Sequence, residues 1–556
     1  MGYGPRMTLV VAILASANLA RAGLGTVASW TAEGEQDSAF YGAAVASAGD
    51  VNGDGYGDIV VGAYGQGDGG RAYVYLGSPL GLGAAAWTTD GDAYAQLGNA
   101  VASAGDVNGD GYDDLAVGAV GYDSAGRVEL YLGSPAGLGP TPASTVSLGQ
   151  EHAHFGTSLG GAGDVNGDGY ADLIVGASMY DNDLTHEGWA GVYLGSAEGL
   201  ASSPSWTVES DHKSAELGAA VASAGDVNGD GFGDVIVGSP GAHLAQVYLG
   251  SPGGLGSGAA WRVIGPESSC FGNAVAAAGD VNGDGYGDVL VGAWVSNQGE
   301  QNEGRAYLYL GAASGLSTTP NWAFQSDQEQ AYFGRSVASA GDINGDGYDD
   351  VVVGADGFDD AEEDEGRAYV FLGSAEGLGP HPVWVVGSGQ SWVGFGAAVS
   401  SAGDVDGDGY DDVIVGERAV QSAIWDEEGR ASVILGTCDV EEFWYADIDH
   451  DGYTDPDVFV TACDPPIGYA AANHADCDDG DRLVHPGALD VVGDGIDQDC
   501  DGVDAEVGEA GCGCGGGCGN SGNRGTGTGE ARPSSARCPW MSHPMWIIEV
   551  TRYTVG

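Results

Sequence analysis

Positively charged side chains are scarce in this chain of 556 residues, which has 16 Lys and Arg against 81 Asp and Glu and a formal net charge of −65. Such a charge repels phosphate groups, which argues against nucleic acid or an anionic membrane surface as a partner. Long apolar runs are also missing after the first 22 residues, so no later segment is predicted to span a bilayer. The charge favours cations as ligands.

Catalytic motifs are missing as well. The sequence has no Gly-x-Ser-x-Gly nucleophile elbow, no phosphate-cradling loop and no His-Glu-x-x-His motif. The pair His152 and His154 has no matching cysteine or third ligand, so we interpret both as surface histidines. An enzyme is therefore not the favoured class, although catalytic residues dispersed over several loops would leave no such motif.

The sequence does contain the nine-residue motif Asp-x-Asn-Gly-Asp-Gly-x-x-Asp six times and, with Asp in place of Asn, a seventh time, with starts 54 to 62 residues apart. Its side-chain oxygens at positions one, three, five and nine, with the carbonyl of position seven, can point inward together because the two glycines permit a tight turn. Hard oxygen ligands favour Ca²⁺. The alternative, a metal-free turn between strands, is disfavoured by seven copies in phase.

The motif resembles the EF-hand calcium loop through its first six positions but closes with Asp at position nine. Six loops carry three acidic ligands and the seventh, with Asp406 in place of Asn, carries four. The predicted Ca²⁺ ligands of the seven loops are Asp50, Asn52, Asp54, Tyr56, Asp58; Asp106, Asn108, Asp110, Tyr112, Asp114; Asp164, Asn166, Asp168, Tyr170, Asp172; Asp226, Asn228, Asp230, Phe232, Asp234; Asp280, Asn282, Asp284, Tyr286, Asp288; Asp342, Asn344, Asp346, Tyr348, Asp350; and Asp404, Asp406, Asp408, Tyr410, Asp412.

Short apolar runs surround each loop. Each run has four to eight residues and is rich in Val, Ile and Tyr, which predicts four β-strands per repeat and no helix. A four-stranded antiparallel sheet repeated at this spacing is typical of a propeller blade. The run before each loop is rich in Gly and Ala, which suits the innermost strand, where blades crowd the axis.

The repeats carry a Phe-Gly pair before the loop and a Gly-Ala pair after it. Examples are Phe155-Gly156, Phe271-Gly272, Phe333-Gly334 and Phe395-Gly396, and Gly62-Ala63, Gly118-Ala119 and Gly292-Ala293. In these residues the chain resembles the FG-GAP repeat of integrin alpha-subunit propellers, over about residues 24 to 437. The resemblance implies an all-β, seven-bladed propeller of four-stranded antiparallel blades. Leu97 and Leu217 replace Phe, and Gly416-Glu417 replaces Gly-Ala, so we expect slightly different packing in those blades.

The outermost strand of each blade is predicted around a tryptophan. These residues are Trp30, Trp87, Trp206, Trp261, Trp322 and Trp384, with Val146 in the equivalent place after the second repeat. One such segment precedes the first loop and none follows the seventh repeat, which ends at Leu435. The segment around Trp30 should therefore supply the outer strand of the last blade and close the ring.

The ends of the chain differ from the repeats. Residues 1–22 are predicted to be an export signal, with an uncleaved amphipathic anchor as the alternative. The propeller is assigned to residues 23–437, an Asp/Cys-rich module to 438–505, and a Gly/Cys-rich tail, predicted to be disordered, to 506–556. Anchoring of the tail through Cys512 or Cys514 is an alternative. Cys270, alone in the propeller, is interpreted as a small buried apolar residue.

The Asp/Cys-rich module repeats the ligand spacing of the loops. Its predicted metal ligands are Asp447, Asp449, Asp451 and Asp455. It resembles the metal-binding modules of secreted bacterial proteins and, more loosely, thrombospondin type 3 repeats. Too few apolar residues are present for a core, so metal and disulfides should hold it. Cys438, Cys463, Cys477 and Cys500 allow three disulfide pairings, and a zinc site is the alternative.

Together these features predict a secreted or cell-surface, calcium-binding scaffold that recognises an extracellular protein or glycan, as the resemblance to integrin propellers implies. One alternative is a secreted hydrolase or lyase with catalytic residues dispersed over the propeller loops, and another is an extracellular spacer. The variable loops between the second and third strands are the expected recognition surface. Trp294, Phe358 and Trp425 are predicted to form part of one partner site.

Overall fold

Each Asp-rich repeat forms one four-stranded antiparallel sheet. The computed structural model describes residues 28–437, except 298, 361 and 419–427, together with residue 488 and three short strands between residues 442 and 471. The chain divides into two compact units, residues 1–442 and 443–556.

The strands of the first unit follow the chain from blade to blade. β1 is Trp30–Glu33. Blade 1 contains β2 (Tyr41–Gly49), β3 (Asp58–Ala63), β4 (Arg71–Tyr75) and β5 (Trp87–Asp90). Blade 2 contains β6 (Leu97–Gly105), β7 (Asp114–Ala119), β8 (Arg127–Tyr131) and β9 (Ser144–Val146). Blade 3 contains β10 (Phe155–Gly163), β11 (Asp172–Ala177), β12 (Trp189–Tyr193) and β13 (Trp206–Glu209).

The remaining blades repeat this order. Blade 4 contains β14 (Ala220–Gly225), β15 (Asp234–Ser239), β16 (Leu244–Tyr248) and β17 (Trp261–Ile264). Blade 5 contains β18 (Val275–Gly279), β19 (Asp288–Ala293), β20 (Arg305–Tyr309) and β21 (Trp322–Gln325). Blade 6 contains β22 (Ser336–Gly341), β23 (Asp350–Ala355), β24 (Arg367–Phe371) and β25 (Trp384–Gly387). Blade 7 contains β26 (Phe395–Gly403), β27 (Asp412–Glu417) and β28 (Arg430–Ile434). Short 3-10 turns lie at Tyr122–Ser124 and Pro240–Ala242.

The fourth strand of blade 7 comes from the start of the propeller. The sheet order is β1-β28-β27-β26, and Trp30 lies opposite Val433 in the antiparallel pair of β1 and β28. The predictions of a seven-bladed all-β propeller and of closure by the segment around Trp30 are therefore confirmed. Closure by a strand removes the open edges that a row of seven sheets would otherwise expose.

The Phe-Gly and Gly-Ala pairs are explained by contacts between neighbouring blades. A Cβ added to Gly62 of the Gly-Ala pair would lie only 2.0 Å from the carbonyl oxygen of Gly98, which follows Leu97 in the next blade. Gly98 itself has a φ of +83°. The same approach joins blades 7 and 1, where a Cβ on Gly416 would lie 2.0 Å from the Gly42 oxygen. Only glycine lets adjacent backbones come this close.

In the described propeller the hydrophobic core consists of seven clusters, and each cluster joins two neighbouring blades. Phe155 and Phe333 of the Phe-Gly pairs are fully buried in such clusters. Leu97 and Leu217, the substitutes for Phe, are at most 2 % exposed, so they fill the same place with a smaller side chain. Because each cluster belongs to two blades, the ring is stabilised as a closed series of interfaces.

Outer tryptophans link five of the blades to the next one through hydrogen bonds from the indole nitrogen. The Trp30 indole donates to the Gly83 carbonyl at 3.1 Å, and its ring lies edge-on to Tyr75 at 4.6 Å. The prediction that Val146 replaces tryptophan in blade 2 is wrong. In blade 1, Trp87 pairs with Val74 of β4. At the equivalent place in blade 2, Ser144 pairs with Leu130 of β8, and Val146 is two residues further on. Val146 matched the expected apolar residue in the sequence, but the register of the strand pair places Ser144 there.

The second unit contains a three-stranded sheet in the order β30-β29-β31. Its strands are β29 (Glu442–Ala446), β30 (Asp455–Ala462) and β31 (Tyr469–Ala471). In the described part of the chain, no helix combines the length and the apolar character needed to cross a membrane.

Candidate metal centre

A β-bulge directly precedes each Asp-rich loop and sets the direction of the chain there. The register between the first and second strands shifts by one residue just before the loop in all seven blades, as between Ser47 and Gly49 in blade 1. The Ser47 hydroxyl accepts a hydrogen bond from the Gly49 amide at 3.1 Å, which fixes the bulge. Bulges commonly redirect the chain next to a functional site.

The first aspartate holds the turn. One carboxylate oxygen of Asp50 accepts the amides of Gly53 and Asp54 at 2.7 and 3.1 Å, and the other accepts the amide of Gly55 at 2.8 Å. Each carboxylate oxygen has more than one acceptor position. Asp50 can therefore organise the backbone and still face the centre of the loop.

Positions three and five lie side by side. The Asn52 oxygen accepts the Asp54 amide at 2.9 Å, and the Asn52 side-chain nitrogen donates to Asp54 at 2.9 Å. Asp54 in turn accepts the amide of Tyr56 at 3.2 Å. The same pattern of bonds recurs in loops two to six. The structure thus brings the predicted ligands of positions one, three and five together.

The ninth aspartate is fully buried at the start of the second strand. Asp58 accepts the amides of Val51 and Gly77, both at 2.9 Å. Burial raises its pKa to about 7, although the two amides act in the opposite direction. The pKa of this position is about 6 for Asp172 and Asp234, about 7 for Asp114 and Asp288, and about 8 for Asp350 and Asp412, with burial as the main cause each time.

A divalent cation would fit this environment, because a buried carboxylate ionises readily only beside a positive charge. Loop seven shows the fit most directly. Carboxylate oxygens of Asp404, Asp406 and Asp412 all lie within 4.8 Å of one another, so one ion could contact all three. The donor set is composed of oxygen atoms alone, which suits a hard cation.

Backbone hydrogen bonds join the seven loops into a closed ring. The amide of position eight donates to the carbonyl of position one in the preceding loop. Asp113 thus donates to Asp50 at 3.2 Å, and Gly57 of the first loop donates to Asp404 of the seventh at 2.7 Å. The other five bonds, with donors Ala171, Gly233, Gly287, Asp349 and Asp411, measure 2.9 to 3.2 Å. Each loop is therefore shaped partly by the next one.

Side chains strengthen three of these junctions. The Asp113 carboxylate accepts the Asp50 amide at 2.9 Å, and Asp349 and Asp411 repeat this bond to Asp280 and Asp342 at 2.7 and 3.0 Å. Position eight is Asp only in these three loops and Gly or Ala in the others. The ligand spacing of the motif did not predict these residues, because position eight lies outside it. The doubled Asp-Asp at the end of the motif was the available signal.

The aromatic residue at position seven also contacts the preceding loop. A Cβ on Gly53 would lie 2.5 Å from the Tyr112 ring, and one on Gly407 would lie 2.4 Å from the Tyr56 ring. Tyr170, Phe232, Tyr286, Tyr348 and Tyr410 make the same approach. Position seven thus has a packing role besides the predicted carbonyl ligand, which explains why it is aromatic in every copy.

The predicted ligands of the C-terminal module are only partly placed. Asp455 begins β30. Asp447, Asp449 and Asp451 lie outside the described residues, as do the four cysteines of the module and residues 1–22. Cys270 is a free cysteine and is half-buried, and burial raises the pKa of its thiol.

The predicted partner residues have different environments on the opposite face of the propeller. Phe358 packs against Tyr369, with ring centroids 6.2 Å apart, and beneath the Arg367 guanidinium at 4.2 Å. These contacts are local packing within blade 6. Trp294 is half-buried between Tyr332, at 5.4 Å, and the Arg335 guanidinium, at 4.9 Å. Trp425 lies outside the described residues.

Buried glutamates brace the loops of this face. Glu187 in blade 3 accepts the amides of Asn182 and Asp183 at 2.6 and 3.1 Å. Glu303 in blade 5 likewise accepts the amides of Gly299 and Glu300 at 2.7 and 3.3 Å. Variable loops that are braced in this way can present side chains in a fixed arrangement.

Comparison with known families now places the repeats. A family model described as FG-GAP repeat matches residues 41–75, 97–131, 155–192, 333–371 and 395–425, and a model described as FG-GAP-like repeat matches residues 226–291. These matches fall on all seven blades. The blades of this protein are FG-GAP repeats. A further model, described as a putative metal-binding motif, matches residues 476–506 in the Asp/Cys-rich module.

Several curated proteins resemble the FG-GAP region. Integrin alpha-5 of Xenopus laevis is 31% identical over 210 residues, which cover 36% of this chain and 20% of the relative. Integrin alpha-IIb of Mus musculus is 38% identical over 156 residues, 27% of this chain and 15% of the relative. Phosphatidylinositol-glycan-specific phospholipase D of Homo sapiens is 41% identical over 161 residues, 26% of this chain and 19% of the relative. The aligned part of this chain spans a fifth or less of each relative.

Proposed function

We propose that this protein is a secreted or cell-surface recognition scaffold whose propeller is stabilised by Ca²⁺. The observation that carries the proposal is the closed ring of seven oxygen-rich loops on one face, held by the bonds from position eight to position one. The similarity to integrin alpha subunits supports a role in recognition. The predicted export signal supports an exterior location, where abundant Ca²⁺ fills even weak sites.

Under this proposal the two faces of the ring have different tasks. The Asp-rich loops between the first and second strands would hold the ions through positions three, five and nine. The ions would offset the repulsion among the loop carboxylates. The loops between second and third strands vary in length and lie on the other face, as the antiparallel order of each blade requires. We assign the partner, an extracellular protein or glycan, to that variable face.

Removal of calcium tests the first half of the proposal. The purified protein should lose a substantial part of its thermal stability in EDTA, because seven clusters of carboxylates then repel without compensation. Ca²⁺ should restore the melting temperature, and Mg²⁺ should restore it less. An unchanged melting curve in EDTA would disprove calcium stabilisation.

A glycan and protein array screened with and without Ca²⁺ tests the second half of the proposal, which is recognition of an extracellular partner.

A second candidate function is a secreted hydrolase. The observation that favours it is the 41% identity to phosphatidylinositol-glycan-specific phospholipase D over 161 residues. Because the aligned segment covers 19% of that protein, the similarity is confined to a part of it. Hydrolysis of ester or glycosidic substrates by the purified chain, lost on substitution of acidic residues of the variable face, would favour this candidate over a pure scaffold.

A further inference from the structure

Two arginines converge on one buried aspartate at the inner rim of the variable face. Trp294, Asp356 and Arg418 directly follow the second strands β19, β23 and β27 of blades 5, 6 and 7. Arg335 directly precedes β22, the innermost strand of blade 6. The four side chains are therefore neighbours around the axis, on the face opposite the Asp-rich loops.

The aspartate in this group has unused acceptor capacity. Asp356 is 6 % exposed. Its Oδ2 lies 3.2 Å from Nε of Arg335 and 4.0 Å from an Nη atom of Arg418. Its Oδ1 is buried and accepts no hydrogen bond from any described residue. A buried polar atom without a partner is costly and usually has a water, ion or ligand as its neighbour.

Among the described residues, Arg418 has no carboxylate oxygen at hydrogen-bond distance. The Asp356 oxygen at 4.0 Å is the sole carboxylate oxygen within that distance of Arg418 in the described part of the chain, and this separation is too long for a hydrogen bond. The Arg418 side chain is 38 % exposed. With one carboxylate between two guanidinium groups, the cluster has a net positive charge in a chain of formal charge −65.

Other arginines of the described propeller do not show this arrangement. Arg71 pairs with Asp90 and Glu35, and Arg430 pairs with Glu33 and Glu417, so acidic partners outnumber the arginine in each cluster. The cluster of Arg335, Asp356 and Arg418 reverses this ratio. Among the described residues, this cluster therefore has more guanidinium groups than carboxylates within 4.0 Å, which favours binding of an anion.

We propose that Arg418, Arg335 and Asp356 form a binding site for a carboxylated sugar residue of a glycan. The ligand carboxylate accepts hydrogen bonds from the Arg418 guanidinium, and a neighbouring hydroxyl donates to Oδ1 of Asp356. The apolar side of the sugar ring packs beside the aromatic pair of Trp294 and Tyr332. This inference rests on the proposed recognition function and names the ligand class for the variable face.

Two features favour a carboxylated sugar over an acidic peptide. The site offers an anion-binding guanidinium and a buried acceptor in contact range of each other, which matches a carboxylate with an adjacent hydroxyl. An aspartate or glutamate side chain has a carboxylate but no hydroxyl beside it, and its nearest donor is a backbone amide. An acidic protein surface would also be repelled by a chain of charge −65, whereas a single sugar carboxylate adds one charge.

The test measures binding of glucuronic acid and of glucose to the full chain at saturating Ca²⁺, by saturation-transfer NMR and calorimetry. Glucuronic acid should bind and glucose should bind far more weakly. Arg418→Gln should weaken glucuronic acid binding by about tenfold or more, because it removes the charged donors to the ligand carboxylate. Arg262→Gln is the matched control, because this substitution removes the same charge from the outer strand β17. Melting temperature and calcium content confirm that each variant is folded.

Several outcomes would overturn the assignment. Equal binding of glucose, no binding of glucuronic acid, or binding that Arg418→Gln leaves unchanged would each do so, and the last result would point to direct ligation of the sugar by Ca²⁺. Binding of an acidic peptide in place of the sugar would overturn the ligand class. If an array instead finds a partner whose binding is unaffected by Arg418→Gln, the recognition function stands while this site falls.

Discussion

At the scale of single residues, the ninth aspartate of each loop would connect the proposed metal binding to folding. Asp350 and Asp412 are fully buried, yet each carboxylate is held by two backbone amides. The amides keep the side chain in place whether or not it is ionised, whereas burial favours the neutral form. A divalent ion next to it would favour the ionised form. Under the proposed metal binding, the stability of this position would depend on both proton and metal concentration.

The pH dependence of the metal-free protein follows from these pKa values. The pKa of Asp350 in the folded state is raised to about 8, above a value of about 3.9 for an unfolded aspartate. The folded state then binds the proton more tightly, so its stabilising contribution is complete below about pH 4 and is lost as the pH rises towards 8. We expect the melting temperature of metal-stripped protein to fall by roughly 5 °C or more between pH 5.5 and 8.

Calcium supplies the control for this measurement. Saturating Ca²⁺, bound as proposed, would keep the ninth aspartates ionised at both pH values, so the fall in melting temperature should largely disappear. Greater stability of the metal-stripped protein at pH 8 than at pH 5.5 would contradict the pKa argument.

A substitution at position five tests the ligand assignment one loop at a time. Asp168→Ala should remove about one bound Ca²⁺ per chain, because the central carboxylate is lost while the bonds from Asp164 to the loop amides remain. The ring should stay closed, since each neighbouring blade forms its own loop. Elemental analysis after dialysis measures the ion count. Asp211→Ala, at a side chain that is 90% exposed, is the control and should leave the count unchanged. Global unfolding of the Asp168 variant would contradict the modular view.

At the scale of the element, the sequence determined the four strands of each blade well, because their period and their turn residues repeat seven times. The link between loops was not predicted, since it depends on which residue of one blade faces which residue of the next. Ser144 shows the same limit, because an apolar Val two residues away matched the expected pattern better than the residue that occupies the place of tryptophan. Phe358 is an aromatic residue on a variable loop, as expected of a recognition residue, but its contacts are with its own blade.

The junction at Asp113 provides a test of coupling between elements. Asp113→Ala removes the carboxylate that accepts the Asp50 amide, a charge-assisted hydrogen bond of about 1.5–3 kcal/mol. The affinity of loop one for Ca²⁺ should fall by roughly tenfold, although Asp113 belongs to loop two. Calorimetric titration should show one weakened site. Asp113→Asn keeps an acceptor oxygen and should retain most of the Ca²⁺ affinity. If it instead loses as much affinity as the Ala variant, the charge of Asp113 matters and its hydrogen bond does not.

At the scale of the whole molecule, the ring is a cycle in which every blade has two neighbours. Core clusters, tryptophan contacts and the bonds between Asp-rich loops all continue from blade 7 to blade 1, as shown by Gly57 and Asp404 in the loops and by Tyr41 and Val433 in the core. Because closure depends on one four-residue strand, β1, the integrity of a propeller of about 400 residues depends on a short segment far from blade 7 in sequence. The cycle also explains why loop geometry is so uniform around the axis.

Removal of β1 should therefore open the ring. A chain that begins at residue 28 keeps Trp30 and its contacts with Gly83 and Tyr75 and should remain monomeric. A chain that begins at residue 35 lacks β1, which exposes the unpaired edge of β28 and the face of blade 1 that Trp30 covers. We expect this shorter chain to form oligomers or aggregates, because an open strand edge pairs with other chains. Light scattering after size-exclusion chromatography distinguishes the two outcomes. If both chains are monomers with the same melting temperature, closure by β1 contributes little to stability, and the seven core clusters alone hold the ring.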